Sequence, residues 1–148
     1  MDLITDAMLG KLTRYLRMAG HDVVYIGDLD VEGDDEIAEK TKRGERTLVT
    51  RDTELASLVD NSILIESLTI EDQLKEVFEA GIELELDVPE RCSVCNSRLE
   101  KTNERPEHAP DSVANIWKCV NCGQYFWKGS HWDDVKDRIS SLDLRDGS

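Results

Sequence analysis

Apolar residues recur along the first half of the chain with two alternating spacings. Short strand-like runs occur at residues 3–4, 23–26, 47–50 and 63–65. After each run, apolar residues stand three or four positions apart, which is the spacing of one helix face. The pattern predicts the order β-α-β-α-β-α-β-α, which is typical of a parallel sheet with helices on its faces.

The ends of the predicted helices carry recognisable signals. Glycine is expected to end three of them, at Gly20, Gly44 and Gly81, because it readily adopts the left-handed conformation that often follows a helix. Asp34 and Thr69 are expected to cap the starts of the second and fourth helices. These signals delimit the elements, but they do not determine the order of the strands in the sheet.

The pattern changes after the fourth helix. In residues 82–90, apolar residues alternate with acids until Pro89 ends the run. We interpret this stretch as an extended connector, with an edge strand as the alternative. It divides the chain into an α/β domain at 1–88 and a second unit at 89–148.

The second unit contains two C-x-x-C pairs, formed by Cys92, Cys95, Cys119 and Cys122. A thioredoxin-like context for a redox pair is absent, so in a cytosolic chain these pairs indicate a metal site rather than disulfides. Four thiolates can surround zinc tetrahedrally at about 2.3 Å. Such a site is closed and structural, so folding of this unit should depend on the metal.

A final helix should begin at Ser130, and aromatic residues cluster before and within it. They are Trp117, Tyr125, Phe126, Trp127 and Trp132. These side chains could stack on nucleic-acid bases. We favour a small core that packs the zinc unit onto its neighbour, because small metal modules need such cores.

Charge narrows the function classes. The net charge is −14, with 34% charged and 39% hydrophobic residues. A strongly acidic chain repels nucleic acid at long range, which argues against a simple phosphate-coating protein but not against an enzyme with local cations. The sequence contains no long apolar run and no signal-like start, so we expect a cytoplasmic protein without a membrane contact.

Four acids stand at predicted strand ends or helix starts: Asp6, Asp34, Asp35 and Asp52. Taken singly, each could be a cap or a solvated residue of a first helix turn. If the strand ends meet at one sheet edge, the acids form a negative cluster that calls for a cation. Carboxylate oxygens suit Mg²⁺ or Mn²⁺, which can promote phosphodiester hydrolysis.

Basic residues accompany these acids. Lys11, Arg14 and Arg17 are three positions apart on the first predicted helix, and Arg51 precedes Asp52. They could guide a phosphate backbone, and Lys11, Arg14 and Arg51 are the predicted substrate contacts. The simpler interpretation of the helix residues is a solvated face. For Arg17 the two interpretations are equally good.

Taken together, both halves of the chain resemble the Mut-seven C-terminal RNase domain family, a PIN-like nuclease domain joined to a zinc ribbon. The matching segments are 6–22, 34–38, 48–52, 92–95, 117–122 and 125–132. The resemblance implies a PIN-like Rossmannoid parallel sheet with helices on both faces, then a small zinc ribbon and a terminal helix. It also implies metal-dependent ribonuclease activity.

The family's acids carry over onto Asp6, onto Asp34 or Asp35, and onto Asp52, while a fourth could be Glu36, Asp28 or Asp30. Two functions follow as hypotheses. One is a Mg²⁺- or Mn²⁺-dependent ribonuclease acting on RNA. The other is a non-catalytic adaptor that binds RNA, a ribosome or another RNA–protein assembly. A phospho-receiver is disfavoured because the first strand ends in one acid and residues 62–68 lack a lysine.

Overall fold

Four parallel strands form the main sheet, in the order β2-β1-β3-β4. The computed structural model describes residues 1–142, so residues 143–148 of the predicted second unit lie outside the described part. The strands are β1 (Asp2–Thr5), β2 (Asp22–Tyr25), β3 (Thr47–Thr50) and β4 (Ser62–Leu64). The predicted alternation is confirmed. The structure adds the strand order, which places β1 and β3 at the centre.

Helices cover both faces of this sheet, as expected. They are α1 (Gly10–Met18), α2 (Gly33–Arg43), α3 (Thr53–Leu58), α4 (Ile70–Glu79) and α5 (Ser130–Ser140). The buried core on one face joins α1, α4 and α5, and the core on the other face joins α2 and α3. Within residues 1–142, no helix is long and apolar enough to cross a membrane.

Successive residues of the central strands point to opposite faces. Leu3 and Val49 belong to the core beneath α1, whereas Ile4 and Leu48 belong to the core beneath α2. All four side chains are at most 2% exposed. Burial on both faces explains why these strands are continuous apolar runs rather than alternating ones.

The C-terminal ends of the helices follow the predicted glycine signals with one exception. Gly20 and Gly81 have φ angles of 92° and 103°, in the left-handed region. After α2, however, Gly44 keeps a helical conformation, and Glu45 takes the positive φ of 55°. The chain therefore reverses one residue later than the glycine suggested.

Residues 82–90 form no strand in the structure. Ile82, Leu84 and Leu86 are buried in the core shared by α1, α4 and α5. Their alternation therefore reflects packing against the helical layer rather than pairing with a sheet edge. The connector interpretation holds, and the alternative of an edge strand is wrong.

The second unit is built on a small antiparallel sheet that also packs against the first. Its strands are β5 (Leu99–Thr102), β6 (Ile116–Cys119) and β7 (Tyr125–Phe126). Helix α5 follows, and its residues Trp132, Val135 and Ile139 belong to the same core as α1. The zinc-ribbon fold class is therefore confirmed, and its terminal helix completes the core of the α/β sheet.

Arg17 ties the first cysteine pair to the main sheet. Its Nε and Nη2 donate to the carbonyl of Val23 at 3.0 and 2.8 Å, and its Nη1 donates to the carbonyls of Ser93 and Val94 at 3.1 and 3.2 Å. The residue is 4% exposed. Interpreting Arg17 as part of a solvated face, or as a phosphate contact, is therefore wrong, because its donors face carbonyl groups in the interior.

Asn96 completes the same junction at the edge strand β2. Its side chain accepts from the Val23 N–H at 2.9 Å and donates to the Asp22 carboxylate at 2.7 Å. Burial alone would raise the pKa of Asp22, but the hydrogen bonds from Asn96 and Arg46 outweigh it and lower that pKa. An edge strand leaves backbone N–H and C=O groups without a neighbouring strand. In β2, the N–H and C=O of Val23 instead form hydrogen bonds with side chains of the second unit and of α1.

The free energy of unfolding is expected to fall as the pH drops below about 6.5, owing partly to His21. His21 is buried, and its Nε2–H donates to the carbonyl of Glu83 at 2.6 Å. Burial lowers the pKa of His21, an effect that the bond to Glu83 only partly offsets. The unfolded chain therefore binds a proton at mildly acidic pH that the folded chain does not.

Urea unfolding of the wild type and of His21→Asn at pH 7.5, 6.5 and 5.5 tests this. The wild type should lose more stability than the variant over this range. His131→Asn, a change at an exposed histidine, is the control and should follow the wild type. Parallel pH dependence of wild type and His21→Asn would contradict the assignment.

Candidate functional site

The four cysteines converge on a single point between the two knuckle turns. Their sulfur atoms all lie within 4.8 Å of one another. The Sγ atoms of Cys92 and Cys122 are 3.7 Å apart, and those of Cys95 and Cys119 are 3.5 Å apart. Four sulfurs at about 2.3 Å from one zinc ion would stand about 3.8 Å apart. The cluster therefore fits a tetrahedral zinc ion.

Both knuckles have the same backbone turn after their second cysteine. Asn96 and Gly123, which follow Cys95 and Cys122, have φ angles of 71° and 80°. Asparagine is one of the few residues with a side chain that tolerates this left-handed conformation. Asn96 can therefore complete the turn and still reach β2 with its side chain, which a glycine could not.

The hydrogen bonds around the sulfurs favour thiolates at part of the site. The backbone N–H of Cys95 donates to Cys92 Sγ at 3.4 Å. Burial raises the pKa of Cys92 to about 12. At Cys95 burial acts in the same direction, but hydrogen bonds from Ser97 and Asn121 outweigh it and lower the pKa to about 6. A bound zinc ion would supply the positive charge that the more buried thiolates need.

Asp6 and Asp52 lie at the carboxyl edge of the adjacent central strands β1 and β3. Asp6 is 7% exposed, and it accepts from the backbone N–H groups of Met8 and Arg51, each at 2.8 Å. Asp52 is exposed and caps α3, where it accepts from the N–H of Glu54 at 2.9 Å. Both carboxylates therefore cap the start of a helix, as the simpler interpretation of the sequence predicted.

Thr50 links these two acids. Its hydroxyl donates to Asp6 Oδ2 at 2.5 Å and accepts from the backbone N–H of Asp52 at 3.0 Å. Thr50 is itself fully buried. The orientation of the Asp6 carboxylate is consequently set by the end of β3, while Asp52 is exposed to solvent.

Asp34 and Asp35 lie in the first turn of α2, away from the expected cap position. The helix begins at Gly33, and the Glu36 carboxylate accepts from the Glu32 N–H at 2.9 Å. The expectation that Asp34 caps this helix is therefore wrong, because the helix begins one residue before Asp34 and Glu32 occupies the N-cap position. Asp34 and Asp35 instead line an open depression together with Glu54 of α3.

The four predicted acids do not form a closed ligand set. Among residues 1–142, the cysteines are the only group of three or more His, Cys, Asp or Glu residues whose ligand atoms all lie within 4.8 Å of one another. Mg²⁺ commonly uses one or two carboxylates and keeps several waters, so it does not need a tighter set. Of the four acids, Asp6 and Asp52 are the two that hydrogen bonds connect.

Lys11 and Arg14 are exposed on α1 and line a cleft of about 720 Å³, which we call the basic cleft. The opposite wall is α5, which contributes His131 and Arg138. Two acids, Asp28 and Asp134, also lie along it. The structure thus brings two predicted substrate contacts together with two basic or titratable residues that sequence reasoning left without a role.

The same chain matches one family over almost its whole length. The family described as the Mut7-C RNAse domain matches residues 1–139. The chain belongs to the Mut7-C RNAse domain family. No curated protein and no solved structure matches it. The Mut7-C match includes the sheet edge, both cysteine pairs and most of α5, so it confirms the resemblance for both halves.

Within this Mut7-C chain, Arg51 lies apart from the basic cleft. Its backbone N–H contacts Asp6, whereas its side chain lies near Glu76 of α4. Burial would raise the pKa of Glu76, but hydrogen bonds from Glu66 and Ser67, together with Arg51, lower it. In the described part of the chain, Arg51 Nε is the buried side-chain polar atom without a hydrogen-bond partner.

Sequence reasoning missed the contribution of α5 to the cleft for an identifiable reason. His131 and Arg138 are seven residues apart, so they lie on one helix face two turns apart. That periodicity could have shown that the two residues share a face. It could not have shown that this face lies opposite Lys11 and Arg14 of the Mut7-C domain, because the contact spans more than a hundred residues.

Proposed function

We propose that this protein is a metal-dependent ribonuclease that hydrolyses RNA phosphodiester bonds at an acidic Mg²⁺ or Mn²⁺ site, with a structural zinc ion on its four cysteines. The observation that carries the proposal is the match to an RNAse family across residues 1–139. Asp6 and Asp52, at the ends of adjacent strands in that span, support it. Reduced cysteines that bind zinc suit the cytoplasm, the compartment we propose.

The acids would have different roles. Asp6 is oriented by the end of β3 and would be the fixed ligand, whereas exposed Asp52 could adjust to substrate. Asp34 and Asp35 would complete the acidic surface beside α3. A divalent cation at these carboxylates would supply positive charge to the phosphate oxygens in the transition state.

The basic cleft accounts for how an acidic chain could hold RNA. Lys11 and Arg14 place positive charge on the α1 wall of the cleft, although the chain as a whole has a net charge of −14. Arg138 of α5 faces them and also pairs with Glu71 at 3.4 Å. Phosphate contacts of this kind position the nucleic acid without reading its sequence. We propose Lys11 and Arg14 as backbone contacts there, and Arg51 as a separate contact next to Asp6.

Asp6→Asn and Asp52→Asn should each lower the rate of Mn²⁺-dependent RNA cleavage about 10²-fold or more. Removing a carboxylate removes a metal ligand, and a catalytic metal contributes several kcal/mol of transition-state stabilisation. The assay measures single-turnover cleavage of varied RNAs with and without Mn²⁺. Asp60→Asn is the control, because Asp60 is an exposed acid near the start of β4, at the opposite edge of the sheet.

Circular dichroism of each variant separates loss of activity from loss of fold. The ribonuclease proposal fails if the wild type cuts none of the RNAs with Mn²⁺. It also fails if the Asp6→Asn/Asp52→Asn double variant cuts at the rate of the wild type.

The alternative function is a non-catalytic adaptor for RNA, a ribosome or another RNA–protein assembly. Two observations favour it: Asp6 and Asp52 both act as helix caps, and no three acids of residues 1–142 have carboxylate oxygens within 4.8 Å of one another. Tight RNA binding without Mn²⁺-dependent cleavage would select this alternative.

A further inference from the structure

An aromatic pocket adjoins the basic cleft on the side of the second unit. It measures about 330 Å³ and lies between the first knuckle, β7 and the start of α5. Its walls include Met18, Phe126, Trp127 and Trp132. This volume is near the lower end of small-molecule pockets, which suits one flat aromatic ring system.

The aromatic walls are held in place by the second unit. A side chain at Gly129 would put a Cβ only 2.7 Å from Trp127 Nε1, so the glycine allows the indole to lie against the backbone. The ring of His108 packs against the same indole at a tilt, with ring centroids 5.3 Å apart. Trp132, which also lines the pocket, is 6% exposed and is held in place by the buried core. The rings therefore form a fixed platform.

Phe126 and Trp127 are only half-buried, so this cluster is more than a closed core. A small core would bury its aromatic faces, as it does for Trp132. Here the remaining surface faces a pocket that is open to solvent. Aromatic side chains that are pre-oriented and partly open are the usual stacking surface for unpaired bases.

The pocket and the basic cleft are continuous. Ser93, Val94 and His131 line both of them. A strand whose phosphates contact Lys11 and Arg14 would therefore pass the mouth of the pocket. Gln124 is also part of the pocket lining and is exposed, so its side-chain amide can form hydrogen bonds with the edge of a base.

We propose that this aromatic pocket binds one unstacked base of a single-stranded RNA whose phosphates lie in the basic cleft. The inference deepens the proposed function and rests on its RNA substrate. It commits to a nucleotide rather than a peptide, because the adjoining wall carries the positive charge that a phosphate backbone requires. Stacking would position the strand without strong selection among bases.

Binding of a short single-stranded RNA tests the pocket, with a base-free chain of the same ribose-phosphate length as the comparison. The wild type should bind the RNA about tenfold more tightly than the base-free chain, because stacking adds to phosphate contacts. Phe126→Leu and Trp127→Leu should remove this preference. They should leave the affinity for the base-free chain unchanged.

Two further variants keep the test decisive. Phe78→Leu changes an aromatic residue of α4 that is 36% exposed and does not line the pocket, so it should keep the tenfold preference. Ser130→Phe adds a ring at an exposed position of the pocket wall and should remove the preference without opening the core. Zinc content and melting temperature verify that each variant is folded.

The inference is overturned if the wild type binds neither chain, binds both equally, or if folded Phe126→Leu and Ser130→Phe keep the preference. Cleavage is measured in the same samples with Mn²⁺. Base preference without cleavage would sustain the pocket and reject the ribonuclease. Cleavage without base preference would do the reverse.

Discussion

Removing zinc from the four cysteines is expected to unfold the α/β sheet as well as the ribbon. The first knuckle holds the edge strand β2 through Arg17 and Asn96, and α5 fills the core beneath α1. A structural zinc site contributes about 10–16 kcal/mol of apparent binding free energy, comparable to or larger than the whole stability of most domains. We therefore expect a loss of more than about 5 kcal/mol.

Hydrogen exchange of the zinc-loaded protein, before and after a strong chelator, measures this coupling. Backbone amides of the central strands β1 and β3 should lose protection together with those of β6. Cys92→Ser should behave like the chelated protein, and Ser93→Ala, one residue away, should behave like the wild type. Retained protection in β1 and β3 after chelation would show that the α/β sheet stays folded without zinc, and would contradict the coupling.

Arg17→Met is expected to lower the free energy of unfolding by about 3 kcal/mol. Methionine fills similar space but leaves the carbonyls of Val23, Ser93 and Val94 without their donors. Each unsatisfied buried group costs about 1–3 kcal/mol. Part of this is recovered, because the fold no longer has to bury a guanidinium group. Burial lowers the pKa of Arg17, in line with that cost.

Arg14→Met provides a matched control on the same helix. Arg14 is exposed on the cleft wall, so its stability change should stay within about 0.5 kcal/mol. The effects on RNA binding should be reversed: Arg14→Met should weaken binding, and folded Arg17→Met should not. Urea unfolding and RNA titration measure the two properties. Equal stability of the two variants would contradict the role assigned to Arg17.

The cysteine cluster and the sheet could be predicted because their signals are local. Cys92 and Cys95 are three residues apart, and a knuckle turn of that length presents both sulfurs to one ion whatever surrounds it. The strand runs around Leu3 and Leu48 are apolar on both faces, which implies a sheet covered on both sides. The position of Asp52 after β3 likewise followed from the pattern of one segment.

The roles of other residues could not be predicted this way, because residues with the same local sequence pattern have different neighbours in the folded protein. Lys11, Arg14 and Arg17 have the same spacing and charge, yet only the contact with residues 93–94 makes Arg17 a buried clamp. Asp34 looked like a cap, but the helix begins at Gly33, so Asp34 lies within its first turn.

The sequence by itself determined the α/β alternation, the four-cysteine cluster and the family, because short-range periodicity and spacing specify them. Only the tertiary structure decided the strand order, the docking of α5 into the sheet core, and the cleft that joins Lys11 and Arg14 to His131 and Arg138. Those features depend on contacts between segments far apart in the chain, whose partners no local pattern identifies.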